Sequence, residues 1–167
     1  MSGIVPALAA APVAGPPGWS AAAVLWAFAL GYWDIQWRRL PNAMTLGAVL
    51  AGLASWGFTG ASSLGATGKS MLLGAALALL LTLPGYFSRQ LGGGDVKLLL
   101  AVAVLGGVQA TLTTFVVGAL AAVGWLVLSL RIGLPTTGRR LPFGAALALG
   151  FAVAVISGQT GDLAWLR

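Results

Sequence analysis

The sequence predicts an all-α fold: a polytopic bundle of about six transmembrane helices whose N-terminus lies outside the cytoplasm. Three observations carry the prediction. Of 167 residues, 59% are hydrophobic and 7% are charged, with a mean hydropathy of +0.96, whereas a soluble domain carries about 25% charged residues. The chain is divided into the uncharged runs 1–33, 40–68, 70–88, 98–130 and 141–161, each able to supply the roughly 20 apolar residues of a crossing helix. The basic residues sit at the ends of those runs, where membrane-topology signals belong.

The elements follow in order. Residues 1–19 are small, apolar and Pro-rich, and no cation precedes their apolar stretch, so they read as an irregular or interfacial lead-in rather than a signal peptide. Residues 20–167 form a single domain. Its first helix spans 20–37, with Trp33 and Trp37 in an interfacial belt and Arg38-Arg39 on the water side. Pro41 ends it, and Asn42 is placed to cap the second helix, 43–59, with Thr45 three residues on. A third helix spans 70–87. The run 98–130 is either one long span or two, broken at Gly106-Gly107-Val108-Gln109, which gives helices 95–107 and 110–131. The last helix spans 143–160, with Pro142 in its first turn and Gly144 and Gly150 permitting close packing.

Charge decides how the run 98–130 is divided. With six spans, Arg38, Arg39, Arg89, Lys97, Arg131, Arg139 and Arg140 face the cytoplasm and only Lys69 and Arg167 lie outside, a split of 7:2. With a single span there the split is 5:4, which orients nothing. The positive-inside rule favours six.

The reaction chemistry open to the chain is narrow. It has no Glu, no His and no Cys, and its only acids are Asp34, Asp95 and Asp162. That removes the His- and Cys-based triads and any disulfide framework, and no metal or other cofactor is expected. The net charge of +6 comes from scattered cations, not a patch, so nucleic acid is not an expected partner. Asp34 lies about one helical turn on the membrane side of Arg38-Arg39. An acid at that depth signals function, or else pairs with Arg38 at i+4. Asp95 ends the segment Gly92-Gly93-Gly94-Asp95, where it can serve as an N-cap or as a reactive group beside a backbone that approaches closely. The pattern of a phosphate-cradling loop is missing. Lys97 reads as an interfacial anchor, and Asp162 as a solvated loop charge near Arg167.

Three segments together resemble the type IV prepilin peptidase family, and more broadly the intramembrane aspartyl proteases that carry a Gly-x-Gly-Asp motif. Gly92-Gly93-Gly94-Asp95 with Val96-Lys97-Leu98-Leu99 fits that motif and its extension. Asp34 followed by Arg39-Leu40-Pro41-Asn42 and Thr45 is similar to the first aspartate segment, and Leu141-Pro142-Phe143-Gly144 to the C-terminal signature. The resemblance implies that Asp34 and Asp95 are catalytic and that the substrates are prepilin or pseudopilin precursors, cut at the cytoplasmic face of a bacterial or archaeal membrane. It also implies a loop of Gly92, Gly93, Gly94 and Lys97 along which the substrate backbone approaches Asp95. Without a cysteine-bearing insertion the chain looks like the minimal, peptidase-only form found in tight-adherence (Flp-type) pilus systems, with no methyltransferase activity. Two carboxyl groups sharing one proton about a water molecule can hydrolyse a peptide without metal, His or Cys. Two other readings compete. One is an ion- or proton-coupled transporter or channel that uses Asp34 and Asp95. The other is an inactive assembly factor, in which loss of one aspartate would be expected.

Overall fold

The computed structural model describes residues 18–132 and 143–162. They form five helices: α1 (Trp19–Trp37), α2 (Asn42–Thr59), α3 (Gly68–Phe87), α4 (Gly93–Arg131) and α5 (Phe143–Ile156). The lead-in up to residue 17, Arg139 to Pro142 and Arg167 lie outside the described residues. α3 and α4 are long and apolar enough to cross a membrane, and α5 is apolar but shorter.

Local chemistry sets the ends. Arg38 turns left-handed (φ 51°) and gives its N–H to Asp34 O at 2.9 Å, which stops α1. Pro41, fixed at φ −64°, occupies the cap position of α2. Asn42 therefore does not cap this helix as expected. It is already the first helical residue, and its Oδ1 accepts from Lys97 Nζ at 3.0 Å. Thr67 does cap α3, accepting Ser70 N–H at 3.4 Å. Beyond α3, Arg89 is again left-handed (φ 60°), while Gln90 and Leu91 both donate to Gly85 O.

The helices expected at 95–107 and 110–131 are one element, α4, interrupted at the single residue Gly107 (φ 75°, ψ −167°). Its neighbours reveal what the interruption does. Before it, Asp95 lies beside Gly144 at the start of α5, and Gly106 O accepts from Gly161 N–H beyond the end of α5. After it, Thr114 lies against Gly150, and Gly118 lies 3.1 Å from Leu147 by its missing side chain. The first arm of α4 thus runs parallel to α5 and the second antiparallel, so the chain turns back at Gly107. A side chain there would strike Ser70 Oγ, Ala66 and Gly161 O. Ser70 Oγ clamps the turn by accepting Val108 N–H and donating to Gly161 O, both at 3.1 Å. Ser62 Oγ adds a 2.6 Å bond to Leu105 O.

α4 is the central element, packed on α2, α3 and α5, and α5 packs on α1. The bundle has two distinct ends. Loop 60–67, Gly107 and loop 157–162 meet at one; loop 38–41, loop 88–92 and the start of α5 meet at the other. Between them lies an apolar core that includes Leu30, Leu98, Leu99, Val102, Leu147 and Phe151. Asp162 is not the solvated charge expected from the sequence. It is buried, and its Oδ1 accepts both the N–H and the hydroxyl of Thr67, at 3.1 and 3.0 Å. The unpaired donors at the N-terminus of α3 supply the reason.

Candidate active site

Asp34 sits near the end of α1 and Asp95 in the first turn of α4, and the fold buries both to less than a tenth of their surface. Each carboxyl is held through one oxygen. Asp95 Oδ2 accepts Gly92 N–H at 3.0 Å, and Asp95 N–H donates in turn to Gly92 O at 3.1 Å. Asp95 is therefore the third residue of its helix, reaching back to the capping residue, and not the cap itself. Asp34 Oδ2 accepts Ala145 N–H at 2.9 Å. That amide belongs to the first turn of α5, whose donors have no partner within the helix. The partner of Asp34 is thus a helix start 111 residues away rather than the Arg38 side chain.

Gly144 brings the two carboxyls into register. The first carbon of a side chain at this position would stand 2.9 Å from Asp34 Oδ2 and 3.1 Å from Asp95 Oδ1. Those two distances cap the separation of the oxygens at about 6.0 Å. A water molecule making hydrogen bonds of about 2.7 Å on each side joins oxygens up to about 5.4 Å apart, a separation that lies within this cap.

The two aspartate-bearing segments also touch directly. Leu40 packs over Gly94, 3.3 Å from where a β-carbon would be, and Asn42 receives the Lys97 ammonium. Lys97 is exposed and engaged with Asn42, tying α4 to the start of α2. Gly92 and Gly93 border an open cleft beside Asp95. Asp162 is at the other end of the bundle. The residue that sequence reasoning undervalued is Gly144, taken as a packing glycine. Its signal was present in the Pro142-Phe143-Gly144 segment, but its role depends on where α5 begins relative to α1.

The comparison with family models matches residues 21–127 to the type IV leader peptidase family. The match covers both aspartates and stops short of Gly144. No curated protein and no solved structure matches the chain.

Proposed function

The chain belongs to the type IV leader peptidase family, and on that premise we propose that it is a membrane aspartic endopeptidase in which Asp34 and Asp95 cut the leader from prepilin-like precursors at the cytoplasmic face. The convergence of the two carboxyls about Gly144 is the observation that carries this reading.

Two carboxyl groups this close hold one proton between them. The ionised member removes a proton from the bound water as it attacks the scissile carbonyl, while the protonated member donates to the carbonyl oxygen. Collapse of the tetrahedral intermediate returns that proton to the carboxylates, and the leaving amine takes one as the C–N bond breaks. The Gly92 and Ala145 amides hold each carboxyl through Oδ2, which keeps the acids in place through the cycle. The reading assigns no methyl transfer to this cysteine-free chain.

Six crossings with the N-terminus outside fit the reversal at Gly107 and the 7:2 division of the cations, and they put the aspartates on the cytoplasmic side. A transporter would need a polar path from the aspartates to the Asp162 end. The interval is instead occupied by buried Leu98, Leu99, Val102, Leu147 and Phe151.

The test is co-expression with a prepilin, with leader removal followed by gel shift. Asp34→Asn and Asp95→Asn each abolish cleavage, since the amide still accepts the Ala145 or Gly92 N–H but cannot share the proton. Asp162→Asn leaves cleavage in place. Normal processing by either of the first two variants would sink the proposed pair.

A further inference from the structure

The second arm of α4, from Val108 to Arg131, rises past every other described helix. Its register against α5 is fixed where the missing side chain of Gly150 would lie 3.0 Å from Gly118 N, and that of Gly118 3.1 Å from the Leu147 backbone. Carried along this antiparallel pair, the register sets Phe143, the first residue of α5, opposite residues 121–122. The other helices end or begin at the same level. Asp34 of α1 and Asp95 of α4 meet at Gly144, Tyr86 of α3 lies against Gly93, and Asn42 of α2 receives Lys97. Residues 122–131 therefore overhang the start of α5 by about 15 Å at 1.5 Å per residue.

The overhang is apolar all round. Val123, Trp125, Val127, Leu128 and Leu130 are each at least half exposed, and no charge follows Lys97 until Arg131. On the six-crossing reading Arg38, Arg39, Arg89 and Lys97 mark where the hydrocarbon ends, so this part of the helix stands above it. A helix without a polar face is stable only when something covers it.

One stripe of the arm runs unbroken from the hydrocarbon into the overhang. Val116, Leu120, Val123, Val127 and Leu130 recur at spacings of four, three, four and three, and all are exposed. On the opposite side Thr111, Thr114 and Gly118 are buried against α3 and α5. Alternating steps of three and four are the seam along which two helices pair in a left-handed coiled coil. Beside the stripe, Gly124 has nothing within 4 Å of where a side chain would begin, so a second helix can approach closely.

We propose that this seam is the interface between two copies of the chain, packed side by side with their second α4 arms parallel. Two copies cross the membrane in the same sense, so their overhangs stand at one height and cover each other above the level where lipid ends. A seam of this spacing is also complementary to itself about a two-fold axis.

The experiment uses the full-length protein in isolated membranes. The chain has no cysteine, so each introduced thiol reports one position. Under mild oxidation Leu120→Cys, Val123→Cys and Val127→Cys form disulfide-linked dimers. Trp125→Cys and Leu128→Cys stay monomeric, although those positions are 53% and 52% exposed, because they point away from the stripe. A second readout needs no cross-link. Protein labelled with one dye at Gln159→Cys and diluted into vesicles bleaches in two steps, and adding Val127→Lys with Leu130→Lys reduces this to one. Cross-linking at all five positions alike would mean chance collision of lipid-covered helices and would overturn the pairing. Single-step bleaching without the lysines, or two steps with them, would overturn it as well. Neither readout depends on cleavage, so the peptidase reading stands or falls separately.

Discussion

Gly144 has no room for even one more carbon, because the Asp34 and Asp95 carboxyls already occupy the space at 2.9 and 3.1 Å. Gly144→Ala therefore has to drive the carboxyls apart. A misplacement of this size costs about a hundredfold in rate, and initial rates of leader removal would show it. The aspartates themselves separate function from support. Each gives one oxygen to a helix start, so Asp34→Ala removes a buried acceptor that Asp34→Asn retains. In detergent, thermal unfolding should place the alanine variant about 1–2 kcal/mol below the asparagine variant, while both are inactive. Loss of activity without this difference in stability would contradict the Ala145 bond. At this scale the sequence was informative where chemistry is scarce: three acids in 167 residues made Asp34 and Asp95 conspicuous. It was uninformative where a role depends on tertiary placement. Nothing in the local sequence links Asp34 to an amide 111 residues on, and a charge following the last apolar run looks solvated although Asp162 is buried.

The interruption of α4 was legible as a glycine pair; the clamp that holds it was not, since Ser70 comes from the first turn of α3 and Gly161 from the segment after α5. Gly107 combines φ 75° with ψ −167°, a region almost reserved for glycine, where any other residue costs about 1–3 kcal/mol. Gly107→Ala adds to that strain the overlap with Ala66, 2.8 Å from the new carbon. It should destabilise the protein by more than Ser70→Ala, which strips Val108 N–H and Gly161 O of their shared partner at a cost of about 1–3 kcal/mol. Chemical or thermal unfolding of the two purified variants gives the ranking. The reverse order would mean that the turn relaxes to accept a side chain, and that the serine is what holds α4 folded back. Asn42 shows a similar limit. Its spacing to Thr45 looked like a cap, yet Pro41 takes that position and frees the amide for Lys97.

At the scale of the whole molecule, the contacts group the loops into two ends, and a membrane reading has to respect that grouping. Thr67 is bonded to Asp162, Gly106 to Gly161 and Ser62 to Leu105, so the α2–α3 loop and the residues after α5 share one side. If α4 crossed only once, those two segments would lie on opposite faces of the bilayer and these bonds could not form. The absence of cysteine makes the point testable, because any introduced thiol is unique. Arg39, Thr59, Ser88 and Gln159 are all exposed and suit single replacement by cysteine. In intact cells, a membrane-impermeant maleimide should label Thr59→Cys and Gln159→Cys, while Arg39→Cys and Ser88→Cys react only once the membrane is opened. If Gln159→Cys reacted, like Ser88→Cys, only once the membrane is opened, α4 would have to cross once. A single crossing would also move the cations of the α4–α5 connection to the outer face, which returns the charge split to 5:4 and leaves the positive-inside rule with nothing to orient.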